Sequence, residues 1–383
     1  MEEWKSYKLG DIVKICSGLA YKADYLGHGD AILLGMGCVS FTDKFLKKGA
    51  RSYNGESEDR FIVKPGDIVL ATRQQSDNLP ILGMPAIIPE EYQGKRLIAG
   101  SNLYIIRNES DIDNRFLYWL LKTPAYINHI SSCKTGTTVR MITKKDIESF
   151  EFACPGKEER NRISDFLWSI EDKIDLNNRI NHNLEEQADM YLWAMCQSCS
   201  SNAQSLSNIC CYVNEKCNSS ILTPHNYIST ENMRPNREGI SEASSIPNIK
   251  CTKYIYGDTL ISNIRPYFKK IWFASQSGGC SNDILCFRST NKTPSFLYHL
   301  LRSDKFFDFV MTGAKGSKMP RGDKNQIMTW QVPDVPTHVL SQIEGFLEKI
   351  DEQIVAKATE NCVLELTRNY LLPELLKEKR ILN

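Results

Sequence analysis

Between Ile163 and Met195, candidate seam residues recur in alternating steps of four and three: Ile163, Leu167, Ile170, Ile174, Asn177, Asn181, Leu184, Ala188, Tyr191 and Met195. This is a heptad repeat, and a helix that carries one must find a facing helix for its apolar stripe. Shifted by 180 positions the series returns as Ile343, Leu347, Ile350, Ile354, Lys357, Asn361, Leu364, Arg368, Leu371 and Leu375, with polar interruptions at the same phase. Each segment covers about 40 residues, roughly 60 Å of helix, against about 11 residues for an average globular helix. Neither seam has room to be buried inside one small domain, so the two are expected to pair with each other, antiparallel and within one chain. Asn177 and Asn181 then face Lys357 and Asn361 in mid-seam, a polar layer that fixes register at a cost in stability.

The repeat extends beyond the helices. Phe116-Leu117-Tyr118 matches Phe296-Leu297-Tyr298, Ser101-Asn102 matches Ser281-Asn282, and Ile147 matches Ile327, all 180 apart. Upstream the offset grows: Gly66-Asp67-Ile68 corresponds to Gly257-Asp258-Thr259, 191 apart, and Leu9 corresponds to Leu206. The chain therefore reads as a duplication. Each copy is a globule of about 150 residues, large enough to hold its own core, followed by a long helix. The boundaries expected are 1–154 for the first globule, 155–198 for a central helix, 199–335 for the second globule and 336–383 for a C-terminal helix.

The globules read as α+β. Strands are expected at 11–15, 31–34, 61–63, 68–70, 84–88, 103–106 and 150–153, with a helix from Asn114 to about His129. In the second copy strands fall near 209–213, 254–255, 259–262, 271–274 and 284–288, with a helix near 294–311. Short strands with one flanking helix per copy belong to that class. Pro155, and Pro333 with Pro336, stand at the starts of the long helices.

With 47 basic and 46 acidic residues the net charge is +1, which excludes a globally basic footprint and makes any nucleic-acid surface local. No apolar run approaches the roughly 20 residues of a membrane helix. Met-Glu-Glu-Trp-Lys at the start has no apolar signal core, so a cytoplasmic location is expected. Of thirteen cysteines, Cys196, Cys199, Cys210, Cys211 and Cys217 lie close enough in sequence to ligate zinc. The competing reading, cysteine as a small apolar residue at a helix end and in a strand, is preferred, and no metal site is assigned. The six histidines show no metal spacing. The sequence carries no Gly-x-Ser-x-Gly elbow, no Walker loop and no Asn-Pro-Pro-Tyr tetrad of amino-methylating enzymes. Glu158-Glu159 and Glu185-Glu186 read as solvated helix faces. The chain is expected not to be an enzyme by itself.

Four stretches read as contact surface. Lys134-Thr135-Gly136-Thr137-Thr138-Val139-Arg140, followed by Lys144 and Lys145, mixes hydroxyls, a glycine and cations; its counterpart carries Lys315, Gly316, Ser317, Lys318, Arg321 and Lys324. The other two follow the matched Gly-Asp pairs: Arg73, Gln74 and Gln75 in the first copy, Asn263, Arg265, Tyr267, Lys269 and Lys270 in the second. Glycine admits a phosphate to the backbone, hydroxyls and cations hold it, and Arg, Gln and Asn can address base edges. Recurrence at matching places in both copies favours double-stranded DNA over a merely solvated surface.

The chain resembles the specificity subunit of Type I restriction-modification systems. The likeness is carried by Tyr-Ile-Ser-Thr-Glu-Asn-Met (227–233), Ser-Asn-Ile-Arg-Pro-Tyr (262–267), Gly136-Thr137-Thr138, and the proline-then-long-helix segments at 155–195 and 336–380. The resemblance implies two target-recognition domains, each reading half of a bipartite DNA sequence, held apart by two antiparallel helices against which two methyltransferase subunits dock. Adenine methylation from S-adenosylmethionine, and translocation and cleavage using ATP and magnesium, would belong to methyltransferase and restriction subunits, with no cofactor in this chain. Two other readings compete: a coiled-coil adaptor that binds only proteins, and a zinc-dependent nucleic-acid enzyme.

Overall fold

The computed structural model describes residues 4–75, 80–199 and 202–377. They form two compact units, one holding the chain up to Ile174 together with the part from Cys362 on, the other spanning Asp175–Asn361. The long helices run Lys157–Cys199 and Thr337–Leu375, so each unit owns half of each helix. Boundaries at the helix ends, as the sequence suggests, would separate the stripe from the globule it completes. Ile163, Leu167, Trp168 and Leu372 lie in the same core as Phe116, Leu117 and Trp119 in the first unit. In the second, Ala188, Leu192, Ile343, Leu347 and Ile350 share a core with Phe296, Leu297 and Phe306. A heptad stripe here buries itself against its partner helix and its globule together.

In the first unit an antiparallel sheet has the order Val13–Ser17, Leu103–Asn108, Ile68–Ala71, Pro85–Ile87, and a mixed sheet has the order Ala50–Tyr53, Leu26–Leu34, Leu97–Ala99, Ile62–Val63. The second unit repeats the antiparallel sheet strand for strand as Cys210–Tyr212, Ile284–Ser289, Thr259–Ser262, Ile271–Phe273. Its other sheet keeps three strands of the pattern, Lys250–Tyr254, Gly278–Cys280 and Tyr227–Ile228, but adds Lys216–Asn218 beside Lys250–Tyr254, at the opposite edge from the first unit's fourth strand. The inner sheets are copies; the outer sheets are variations.

Matching hydrogen bonds give the register of the duplication. Leu9 N–H to Phe150 O and Leu206 N–H to Trp330 O, both 2.8 Å, equate Leu9 with Leu206. Thr72 N–H to Asn102 O at 3.1 Å and Asn263 N–H to Asp283 O at 2.9 Å equate Asn102 with Asp283. The offset through this strand is thus 181, and the Ser-Asn pairs that coincide at 180 are one residue out of structural register. The difference disappears before the helices, where Thr123 and Ser303 cap matching positions.

Two expectations for the helices change. The single helix over 114–129 is two, Asn114–Leu120 and Pro124–Cys133, because Thr123 caps the second and Pro124 opens it. The one over 294–311 is likewise Pro294–Leu301 and Asp304–Thr312, capped by Ser303. A further short helix, Lys144–Glu148, begins at a capping box of Thr143 and Asp146.

The long helices pair antiparallel in each unit. In the second, Asn177 Nδ2 donates to Asn361 Oδ1 at 2.8 Å, Asn361 Nδ2 to Asn178 Oδ1 at 2.8 Å, and Asn181 Nδ2 to Ile354 O at 3.3 Å. Asn177 therefore meets Asn361 as expected, whereas Lys357 pairs along its own helix with Glu360 at 3.3 Å. Ile343, Leu347 and Ile350 are buried; Leu184, Ile354, Lys357 and Leu364 are half-buried. In the first unit Ile163, Leu167, Ile170 and Ile174 are buried and Glu171 and Arg368 form a buried ion pair. No helix among the described residues is long and apolar enough to cross a membrane.

Candidate nucleic-acid interface

Both units build one surface feature from three parts, starting with the Gly-Asp turn. Gly66 and Gly257 hold φ at +82° and +86°, and the aspartates that follow close the turn, Asp67 N–H to Lys64 O at 3.0 Å and Asp258 N–H to Ile255 O at 3.2 Å. Such a turn wants glycine at its third position. The carboxylates then lock in. Asp67 accepts from the Lys64 N–H and from Arg107 Nη1, both at 3.1 Å. Asp258 accepts from the Ile255 N–H at 2.8 Å and from Arg288 Nε and Nη2, both at 2.7 Å. Arg107 and Arg288 are equivalent, 181 apart, on the central strand of the inner sheet. This anchors the strands Ile68–Ala71 and Thr259–Ser262, whose far ends carry the candidate residues.

The second part is a tight hairpin. Thr135 and Met141 exchange backbone hydrogen bonds at 3.0 and 2.9 Å, and Lys315 and Arg321 do so at the same distances. Gly136 and Gly316 sit inside the hairpins at φ +91° and +104°. A Cβ on Gly136 would lie 2.2 Å from Val139 O, so only glycine fits there. Arg140 Nη1 donates to Gly136 O across the loop.

The third part joins the first two. Arg140 pairs with Gln74 and Met141 with Arg73 in a two-stranded ribbon. In the second unit Ile264 bridges to Arg321 and Arg265 N–H donates to Pro320 O at 2.8 Å. The stretches that the sequence marks separately thus form one tip per unit.

The placement of individual residues is more mixed. Arg73, Gln75, Thr137 and Thr138 are exposed on the first tip, as are Tyr267, Ser317 and Lys318 on the second. Arg140 is half-buried, and so is Lys144, whose Nζ lies 5.9 Å from the Tyr104 ring. Gln74 is buried and its Oε1 accepts the Leu82 N–H at 3.3 Å, so this side chain holds the neighbouring loop and does not face a base edge. Lys269 is bound to Asp304 at 2.6 Å, Arg321 to Asp283 at 3.0 Å and Lys315 to Asp323 at 3.1 Å. These cations serve partly to set the tip's shape. Asn263 and Arg265 are half-buried, and Asn263 Oδ1 and Arg265 Nε are shielded from solvent with no hydrogen-bond partner among the described residues. The sequence reading passes over Phe268 and Met319, both exposed on the second tip; the signal for Phe268 is its place between Tyr267 and a pair of lysines.

Cys196 and Cys210 are core residues of the second unit, and burial pushes the Cys210 thiol up to about 12. Cys211 is exposed, Cys217 half-buried, and the side chain of Cys199 lies outside the described residues. Among the described residues no group of three or more His, Cys, Asp or Glu side chains converges as a metal site would require.

What the two tips can do is bind. They offer hydroxyls, cations and fixed backbone on a rigid ribbon, with different side chains on each.

The profile of the Type I restriction modification DNA specificity domain matches residues 1–186. Over 194 residues the chain is 26% identical to the specificity subunit of Type I restriction enzyme HindI from Haemophilus influenzae and 25% identical to that of MjaVIII from Methanocaldococcus jannaschii. These matches take in 49% and 48% of this chain, and span 39% and 43% of the relatives' own lengths. The crystal structure of a Type I restriction-modification system S subunit from M. genitalium has the same fold, with a TM-score of 0.58 at 14% identity, covering 98% of this chain and 97% of that one. Since the second unit repeats the inner sheet, hairpin and half-helices of the first, the fold of the matched domain recurs beyond residue 186. Residues 1–186, just under half of the chain, thus match the Type I restriction modification DNA specificity domain.

Proposed function

We propose that the chain is the DNA-recognition subunit of a Type I restriction-modification complex, each tip reading one half of a bipartite double-stranded target. The observation that carries this is the tip itself, built twice on the same hydrogen bonds yet bearing Arg73, Gln75, Thr137 and Thr138 in one unit and Arg265, Tyr267, Ser317 and Lys318 in the other. A shared frame with exchanged side chains is what reading two different half-sequences requires. The differing outer sheets are consistent with that division. A near-neutral chain with local cations would bind DNA firmly only with its partners in place.

In this reading methyl transfer from S-adenosylmethionine belongs to two methyltransferase subunits, and ATP- and magnesium-dependent translocation and cleavage to restriction subunits; the complex works in the cytoplasm. Val363, Leu366 and Tyr370 are exposed on the second long helix at spacings of three and four. This stripe, off the seam, is a seat for a partner subunit. Copurification with a methyltransferase followed by mapping of methylated adenines tests the proposal. The expected pattern is two short read sequences flanking an unread gap, abolished when this chain is omitted. A contiguous target, or methylation unaffected by the chain, would refute it.

A further inference from the structure

The second tip carries a feature that the first lacks. Tyr267 and Phe268 stand at 47% and 38% exposure, their ring centroids 4.7 Å apart at 56°. Arg265 and Lys269, on either side, both hold left-handed φ, +51° and +50°, a conformation that side-chain-bearing residues keep only where their surroundings enforce it. Those surroundings are visible. Pro266 between them is buried. Phe268 N–H donates to Arg265 O at 3.0 Å, while Phe268 O and Lys269 O accept from Asn236 and Arg237 N–H at 2.8 and 3.1 Å. Lys269 and Arg237 both bind Asp304. The fold thus holds two aromatic rings out of the core on a braced turn, next to the hairpin bearing Lys318.

We propose that Tyr267 is a stacking wedge: on double-stranded DNA it enters a loosened base step of the second unit's half-site, with Phe268 as its buttress. The inference rests on the reading of the chain as a DNA-recognition subunit and adds how one half is read. Apolar side chains that enter a step unstack it and bend the duplex, and aromatic rings stack on a base face whatever its identity. Since the two rings are far from parallel, both cannot enter one step. Tyr267 is the more exposed; Phe268 lies 5.9 Å under the Lys270 ammonium. Of the nearby cations, Lys269 is held by Asp304 and Lys270 by Thr230 O, whereas Lys318 is exposed on the adjoining hairpin and is the one that would meet a phosphate beside an opened step. With the offset of 191 that relates Thr72 to Asn263, the sequence positions matching Tyr267 and Phe268 are Ser76 and Asp77, and the stretch from Arg73 to Leu79 contains no aromatic residue, so only one half-site is read this way.

The test uses the complex with its methyltransferase on the mapped target. Duplexes carrying a single mismatch at successive steps of each half are bound by wild type and by Tyr267→Ala and Tyr267→Trp. A wedge gains from a step already weakened. Wild type should bind about tenfold tighter when the mismatch falls at one particular step of one half-site, with no such gain in the other half. Tyr267→Ala, too short to enter a step, should lose that gain and bind the intact target about tenfold or more weakly, while Tyr267→Trp keeps both; 2-aminopurine at the step should brighten with wild type and Trp but not Ala. Sequence-specific binding with no gain at any step, or a gain that Ala retains, overturns the wedge and leaves the recognition reading standing. Failure of the wild-type complex to prefer its target overturns both.

Discussion

Arg265 shows how much of the tip is decided by single residues. Its backbone is held by the Pro320 carbonyl, its neighbour Pro266 is buried, and its Nε is shielded with no hydrogen-bond partner among the described residues, so the side chain emerges from a fixed origin. Lys318 by contrast is exposed on the hairpin. If Arg265 addresses a base and Lys318 a phosphate, their alanine variants should fail differently in equilibrium binding. Arg265→Ala should cost about 1–3 kcal/mol and relax preference at one position, whereas Lys318→Ala should weaken all sequences alike and lower the salt slope by about one. Equal and sequence-independent losses would remove the assignment. Arg140→Ala should leave this half-site untouched and impair the other. At this scale the sequence marks the loops that the fold joins into one tip per unit, through Gly136, Gly316 and the Gly-Asp turns. It does not disclose which cations are committed. Lys269, Arg321 and Lys315 resemble Lys318 in sequence, and only the folded chain brings Asp304, Asp283 and Asp323 to them.

The long helices were legible because a heptad stripe is a strong periodic signal, and their polar layer was legible in Asn177 and Asn361. Replacing both by Leu should raise the melting temperature, since a buried polar pair exchanged for packed apolar groups is neutral or stabilising by about 1–4 kcal/mol, roughly 2–4 °C per kcal/mol at this size. The same variant should lose register and populate intermolecular species in light scattering; a monomer with unchanged pairing would mean the layer is not a register device. Asn177→Leu alone should lower the melting temperature, because the buried Asn361 Oδ1 loses its donor while Nδ2 keeps its bond to Asn178. Less legible was the short helix Pro294–Leu301, which lies against both long helices in the second unit. His299 is fully buried between Asp189 (3.4 Å) and Asp351 (3.1 Å), and Arg302 binds Glu185 and Asp189 at 2.9 and 2.6 Å. Glu344 accepts the Ser295 and Phe296 N–H groups at 3.0 and 2.8 Å at the helix start. Burial pushes the Glu344 carboxyl up from 4.5 to about 7 despite those donors, with Asp351 and Glu348 adding to the rise. His299 is also raised: burial opposes its charge, but the bonds to Asp189 and Asp351 outweigh burial. Both shifts carry the same sign for stability. The folded state keeps protons that the unfolded chain has released, so the contribution is complete below about pH 4.5 for Glu344, below about 6.5 for His299, and lost as pH climbs through the raised values. The second unit should therefore be less stable at pH 8 than at pH 5.5, by on the order of 2 kcal/mol at most for Glu344. Urea midpoints at the two values check this, and Glu344→Gln should flatten the difference. A midpoint that rises with pH would contradict it.

Across the whole molecule the duplication was readable from the helices inward and faded toward the outer sheets, for a physical reason. Matches such as Phe116 with Phe296 and Ile147 with Ile327 are buried positions of a shared inner frame. The outer sheets place their fourth strand on opposite edges, so insertions there erase any constant offset. What remains constant is that each long helix passes from one unit to the other, at 174/175 and at 361/362. If these helices set the distance between the reading tips, lengthening them should lengthen the unread gap and nothing else. The place of the insertion matters. Just after Met195, where the heptad series ends, the next residue is Cys196 of the second core, and an added turn would damage packing. A helix-forming heptad between Ile174 and Asp175, matched by another between Asn361 and Cys362, keeps the four-three register of both seams. Seven residues add roughly 10 Å, up to about three base pairs at ~3.4 Å each, and fewer if the duplex must also turn to present its second half. Methylation mapping of the doubly extended variant should show both half-sequences unchanged and the gap longer by about one to three base pairs. A heptad in only one helix should offset the seam and lower stability without giving a clean new gap. An unchanged gap in the doubly extended variant, or an altered half-sequence, would mean the helices join the two units without measuring the distance between them.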